Sequence, residues 1–356
     1  MKTQLFVLFT ERRSISALLC ALVLALTGAA AYAEEEDAGY GDPKPSEMMP
    51  LAPHSLLLDM DKAGANFVAV GERGHALVST DGKTFVQKQT PTRATLNAVD
   101  FADAKNGWAV GHDAVILATR DGGETWSIQN WEPERESPLL DVMFLDSQKG
   151  FAIGAYGMMK RTTDGGATWE DVENDVTMNE WHLNSMVRLN DGALLIAGEA
   201  GGMALSRDEG ATWVALESPY EGSYFGALAW GERGALVFGL RGNAFVTEAL
   251  PGLNAVEDVA AADPLTSAGS TDDMSAPSAE WTALKTNTIQ SFMGGSLLGN
   301  GGAALVGVNG IIMLVNADGS VQRVKNDVTL GFADVLPMGD GKLLVSGEGG
   351  THPYSY

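Results

Sequence analysis

The chain has 356 residues, of which 45 % are hydrophobic and 19 % charged, with 43 glycines and a formal net charge of −23. Those proportions suit a globular protein with a real core, and the acidic balance excludes both phosphate-neutralising nucleic-acid binding and adhesion to an anionic lipid surface. The one cysteine, Cys20, falls in a segment expected to be removed, which excludes disulfides, thiolate metal sites and a cysteine nucleophile from the rest.

Residues 1–33 read as a secretory signal peptide. Lys2, Arg12 and Arg13 form its positive region, Ile15 to Leu26 its apolar stretch, and Ala31-Tyr32-Ala33 its small-x-small cleavage site before Glu34. The apolar run is shorter than the ~20 residues that span a bilayer, so an exported, periplasmic protein is expected with no direct membrane insertion.

From residue 55 onward one unit recurs: a β-run ending in glycine, a two-residue turn, and a second β-run. The glycines are Gly71, Gly111, Gly154, Gly198, Gly239, Gly307 and Gly347, spaced 40, 43, 44, 41, 68 and 40 residues apart. The long interval contains residues 249–280, rich in Ala, Ser, Pro and Asp, expected to be a disordered insertion in the fifth repeat. The second repeat shows four short runs, Leu96–Phe101, Gly107–Gly111, Val115–Thr119 and Trp126–Gln129. Four short β-runs per ~40 residues predict an all-β, seven-bladed β-propeller over 55–356, and period-2 runs broken by glycine are too short for a helical repeat. The last repeat has only three runs before the chain stops, which would leave an unpaired edge. The 34–54 segment, through residues near Met48–Pro53, is expected to supply the closing strand.

A second motif sits between the third and fourth runs. It reads Thr119-Arg120-Asp121-Gly122-Gly123-Glu124-Thr125-Trp126 in repeat two. Repeat three has Thr162-Thr163-Asp164-Gly165-Gly166-Ala167-Thr168-Trp169, and repeat four Ser206-Arg207-Asp208-Glu209-Gly210-Ala211-Thr212-Trp213. A shortened form surrounds Asp81, and repeat five keeps only Trp281. The aspartate is placed to accept turn N–H groups, Gly123, Gly166 and Gly210 to take positive φ, and the tryptophan to pack between blades. A feature repeated in several blades is scaffold, since an active site is needed once.

These motifs resemble Asp-box (bacterial neuraminidase repeat) propellers, and most closely the photosystem II assembly and stability factor family. The resemblance rests on Asn106–Asp113 with Thr119–Trp126, and on Lys149–Gly154 with Thr162–Trp169. It implies an exported, non-enzymatic scaffold that helps assemble a membrane protein complex; in a bacterium without photosynthesis the partner class would be a membrane exporter. The family's photosynthetic members carry a docking patch of arginines, for which this acidic chain has no equivalent.

The alternative is a sialidase-like or other glycoside hydrolase. That chemistry needs converging arginines, a Tyr–Glu pair and an acid. Here Arg73, Arg93, Arg188, Arg233, Arg241 and Arg323 are scattered, and Tyr224 with Glu221 is the nearest pair. His54, His75, His112, His182 and His352 stand at no metal-ligand spacing, so neither a metal nor a cofactor is expected. The expected partner-binding face is the ring of turns after the repeating glycines: Glu72, Arg73, His112, Asp113, Tyr156, Glu199, Arg241, Asn309 and Glu348. Glutamate recurs there in blades one, four and seven, which reads as an acidic recognition surface for a basic periplasmic segment of a membrane protein, bound by a monomeric propeller.

Overall fold

A computed structural model describes residues 40–252 and 277–356. The expected signal peptide and residues 253–276 of the expected insertion lie outside the described residues. The β-runs pair within their own repeats to give seven antiparallel sheets, six of four strands and the last of three, always in chain order. We call the sheets blades I to VII and their strands A to D. Blade I comprises Leu57–Ala63, Asn66–Gly71, Ala76–Ser79 and Val86–Lys88. The A strands of successive blades adjoin one another, and that of blade VII (Phe332–Gly339) adjoins that of blade I, closing a seven-membered ring. No helix among the described residues is long and apolar enough to cross a membrane.

Each B strand is buried along almost its whole length, as in Gly107–Gly111 and Leu194–Gly198, because neighbouring blades cover both of its faces. The apolar clusters therefore lie between blades. One joins Val68, Val70, Ala76 and Val78 of blade I to Leu96, Val99, Ala109, Leu117 and Trp126 of blade II. At the next seam Trp108 is fully buried and stacks on Phe144 with ring centroids 3.3 Å apart.

Every A strand carries a bulge at its second residue. In blade I, for example, Leu57 pairs with Gly71 and Asp59 with Val70, leaving Leu58 without a partner. An extra residue in one strand turns two successive side chains toward one side. Here that side is the ring axis, which both the second and third residues of each A strand line.

The expected closing strand is not what the chain forms. Residues 50–51 make a turn and Ala52–His54 one turn of 3-10 helix, while blade VII stays three-stranded. Pro50 and Pro53 lack the N–H groups a ladder needs. Instead the preceding residues run along the outer strand of blade I: Ser46 donates its N–H to Thr90 O (2.9 Å), and Gln87 Nε2 donates to Glu47 O (2.8 Å). Ala52 then enters the seam between the last and first blades, with Leu57, Met60, Phe67, Leu77, Phe85 and Leu344. Pro353 lies in the outer strand of blade VII, Gly350–Ser355, where a missing donor discourages edge-to-edge pairing.

Candidate partner-binding face and axial channel

The turn between B and C strands is a 3-10 turn of one geometry in blades I to VI and a tight two-residue turn in blade VII. The repeating glycine is extended, and the next N–H donates to the carbonyl just before the A strand of the same blade. These bonds are Glu72 to Leu56, His112 to Thr95, Ala155 to Pro138, Glu199 to His182, Leu240 to Ser223, Val308 to Ser291 and Glu348 to Gly331, all 2.9–3.1 Å. A Cβ on the glycine would strike that carbonyl oxygen, at 1.9 Å for Gly111 and 2.0 Å for Gly307. Close backbone approach therefore explains the glycine repeat. The second turn residue is left-handed in every blade: Arg73, Asp113, Tyr156, Ala200, Arg241 and Asn309 have φ between 51° and 59°, and Gly349 has φ 78°. Arg73, Tyr156, Arg241 and Asn309 point into solvent, and His112 is also exposed.

The three glutamates are brought to equivalent places, and each has an intramolecular task. Glu72 Oε1 accepts from Leu56 N (3.2 Å), Glu199 Oε2 from His182 N (3.3 Å) and Glu348 Oε2 from Gly331 N (2.9 Å). Their recurrence therefore has a cause within the fold: they cap the N–H groups that lead into the A strands. The residues after them, together with the D-to-A connections alongside, make the outward surface.

The Asp boxes lie on the opposite face, against the A–B turns: Gly122 N donates to Lys105 O and Gly165 N to Gln148 O. Asp121 accepts Thr119 Oγ1 (2.8 Å), Thr125 N (2.9 Å) and Thr125 Oγ1 (2.6 Å), and Asp164 and Asp208 repeat the pattern with Thr168 and Thr212. Asp81 accepts the N–H groups of Lys83 and Thr84, both at 2.8 Å. The bonds from Thr168, backbone and then hydroxyl, bring the Asp164 carboxyl down to about 2. Gly123, Gly166 and Gly210 have φ of 91°, 85° and 81°. Trp126 donates to Gly123 O (3.0 Å) and meets Phe101 edge-on, while Trp169 and Trp213 meet Phe144 and Phe151 edge-on at the two following seams. These carboxylates are engaged by their own turns, which leaves them structural.

Reasoning from sequence missed the axis. A channel of about 240 Å³ runs along it, and the third residue of each A strand forms one ring in its wall: Asp59, Ala98, Asp141, Ser185, Gly226, Gly294 and Asp334. Asp59 Oδ2 accepts Val99 N, Asp141 Oδ2 accepts Met186 N, and Asp61 Oδ2 accepts Phe101 N, each 2.7 Å; Asp100 Oδ2 accepts Phe144 N at 2.6 Å. Each bond fastens one blade to the next. Asn97 and Asn184 do the same through their amides, to Leu139 O and Tyr224 O. At the closing seam Asp334 bonds Met60 and the Asp59 carboxyl. Surrounded by protein, these groups favour the neutral form. Burial pushes Asp61 up to about 6, Asp141 and Asp334 to about 7 and Asp100 to about 8, and Asp59 is raised by burial and then by Asp334. The readable signal was aspartates recurring in the A strands at two offsets, Asp59, Asp141 and Asp334 at the third residue and Asp61 and Asp100 at the fifth.

Comparison with known proteins agrees with this architecture. The family described as "Photosynthesis system II assembly factor YCF48" matches residues 77–137 and 129–297. Over 61 residues, 16 % of this chain and 14 % of the relative, it is 43 % identical to the chloroplastic photosystem II stability/assembly factor HCF136 of Cyanidioschyzon merolae. Over 60 residues, 17 % of each, it is 37 % identical to the photosystem II assembly protein Ycf48 of Thermosynechococcus vestitus. The chain thus aligns with under a fifth of the length of these curated relatives. A solved structure of YCF48 bound to D1 peptide superposes with a TM-score of 0.63 at 17 % identity, covering 89 % of this chain and 97 % of that one, and shares its fold.

Proposed function

Because the chain belongs to the YCF48 photosystem II assembly factor family, we propose that it is an exported, non-enzymatic assembly factor that holds a segment of a membrane protein during construction of a complex. The observation that carries this reading is the face of B–C turns. Close-packed glycines and repeated hydrogen bonds fix its backbone, while its second-position side chains vary from blade to blade. Rigid backbone with variable outward side chains is how a scaffold displays a recognition surface. A YCF48 relative has been solved with D1 peptide bound, which supports a peptide segment as the ligand. The signal-like residues 1–33 support placing the encounter in the periplasm, with a mature chain beginning at Glu34. A monomeric propeller working without cofactor is enough for this task. A non-enzymatic role accords with the boxes and the channel, whose carboxylates are committed to turn and strand N–H groups.

The test is affinity capture of the tagged full chain from solubilised envelopes, paired with deletion of its gene. Assembly intermediates of one membrane complex should be enriched over a tag-only control, and that complex should accumulate more slowly in the deletion strain. No enrichment, or normal accumulation, refutes the reading. Release of a fluorogenic sialoside by the purified protein would instead support the hydrolase.

A further inference from the structure

The face of B–C turns is uneven, and one sector stands apart. The connection from blade III to blade IV, between Asp171 and Leu183, is the longest of the D-to-A links among the described residues that join successive blades, and it contains a 3-10 turn, Thr177–Asn179. That turn lies against the B–C turn Ala155–Gly157, and Gly157 N donates to Trp181 O at 2.8 Å. Three large apolar side chains are thereby held in solvent: Tyr156 is 63 % exposed, Met178 73 % and Trp181 45 %. The Trp181 ring sits over Gly202, whose absent Cβ would lie 3.0 Å from Trp181 Cε3, and His182 meets Tyr156 edge-on at 5.0 Å. Beneath Trp181 opens a cleft of about 40 Å³ reaching Val176, Leu183, Ile196 and Met203. An apolar cleft under a half-exposed tryptophan has the form of an anchor pocket, where truncation at an interface is most costly.

The connections and turns that build it carry charge of one sign, and the bordering Arg135 and Lys160 are already paired with Glu132 and Asp171. Glu173, Asp175, Glu180, Glu199, Glu217 and Glu221 are all exposed. The Glu217–Glu221 connection adjoins the Glu199 turn, since a Cβ on Gly201 would lie 2.1 Å from Tyr220 O. Residues 155–157, 172–182, 199–202 and 216–223, which build the sector, contain no lysine or arginine. Arg241, Lys285 and Lys325 belong to the connections and turns of blades V and VI. An acidic rim around an apolar cleft complements a cationic segment with an apolar anchor, steered by charge and held by burial.

We propose that this blade III–IV sector is the docking site, and that its occupant is a lysine- or arginine-rich segment of the partner protein that seats one aliphatic or aromatic side chain under Trp181. The inference rests on the assembly-factor reading and gives the partner segment its chemistry. It reverses the sign expected from the arginine patch of the family's photosynthetic members, in keeping with the chain's charge of −23.

The test uses the purified chain and labelled 15-residue peptides of lysine and serine around a central Leu-Phe, read by fluorescence anisotropy. The parent should bind this peptide, and should bind at least about tenfold less tightly when the lysines become glutamates or when Leu-Phe becomes Ser-Ser. Trp181→Ala should cost about tenfold or more. So should the combined Glu173→Gln, Asp175→Asn and Glu180→Gln variant, which should also flatten the salt dependence. Asp340→Asn, in the A–B turn of blade VII on the opposite face, should bind like the parent, and circular dichroism confirms that each variant is folded. The proposal is overturned if no peptide binds, if the glutamate peptide binds equally well, or if Trp181→Ala and the charge variant bind like the parent. It is also overturned if the chain occupies the sector with a second copy of itself, seen as a dimer that Trp181→Ala dissolves. Capture of a membrane complex that survives Trp181→Ala would sink this site while leaving the assembly role standing. Peptide binding without any captured complex would do the reverse.

Discussion

The channel aspartates make the pH dependence of stability a direct test of the ring. Asp141 is the simplest case: burial raises its carboxyl to about 7 from an ordinary value of 3.8, opposed only by its bonds from Met186 N and Val142 N. Below pH 4 the folded and unfolded chains both carry the proton, and the full stability is present. As pH rises, the unfolded chain loses the proton first while the folded chain holds it, so stability falls until about pH 7 and then levels. A shift of about 3 units at ~1.4 kcal/mol each gives up to about 4 kcal/mol. Asp141 is only partly exposed, but it faces the channel, whose solvent screens part of that, and about 2 kcal/mol is the working figure.

Asp141→Asn removes the titration and also one acceptor, because an amide oxygen takes one of the two N–H groups more readily than both. The lost bond costs about 1 kcal/mol at any pH, whereas the penalty that the variant escapes builds up between about pH 4 and 7 and is complete above neutrality. The variant should therefore be less stable than the parent at pH 4 and more stable at pH 8, with the two curves crossing between. Thermal unfolding by circular dichroism from pH 4 to 8.5 measures this. The parent's Tm should fall across the range by roughly 4–8 °C for each ~2 kcal/mol lost. A parent Tm that is flat or rises with pH, or a variant that runs parallel to the parent throughout, refutes the argument.

Other consequences follow from single residues. Asp121→Ala strips Thr125 and Thr119 of their acceptor and should cost about 1–2 kcal/mol in urea denaturation. Asp164, held near 2, acts in the opposite pH direction: its contribution is present above pH 4 and lost as pH falls toward 2, so Asp164→Ala should remove part of the acid limb of the Tm profile. Gly210→Ala puts a Cβ 2.3 Å from the Phe151 ring at φ 81° and should cost several-fold more than Gly192→Ala, which at φ 90° has open space around it; chemical denaturation compares the two. Ala114 occupies a left-handed position, φ 47°, where five other blades place Gly74, Gly157, Gly201, Gly242 and Gly310. Ala114→Gly should therefore raise stability by about 1 kcal/mol in the same assay.

The ring was legible in the sequence because its strongest constraint, backbone pressed on backbone at Gly71, Gly111 and their equivalents, admits only glycine and so prints a period. The box turns were legible for a related reason, since Asp, Gly and Thr are each needed at a fixed offset. Glu72, Glu199 and Glu348 were equally visible, and their recurrence has a cause within the fold. A period shows that a residue serves the repeat, and that service proved to be capping an N–H within the fold. The blade III–IV sector was hidden for the opposite reason. Met178, Glu180 and Trp181 belong to a connection that occurs once, so no periodicity marks them, and only the packing of Thr177–Asn179 on Ala155–Gly157 brings them to Tyr156.

Closure is where the missing strand and the buried acids meet. A ring finished by a shared outer strand has ladder hydrogen bonds across its last seam. Here blade VII ends at three strands, and the seam depends on the Ala52–Leu344 cluster outside and on Asp334 with Asp59 at the axis. Two carboxyls in contact hold together only while they share a proton. Raising the pH therefore weakens the seam between the last and first blades more than that between blades IV and V, where Asn184 and Ser185 carry no charge. Amide exchange should show it: protection in Leu57–Ala63 and Phe332–Gly339 should fall between pH-corrected measurements at 5 and 8, while Tyr224–Trp230 stays protected. Uniform loss around the ring would mean that the seam is not the weak point.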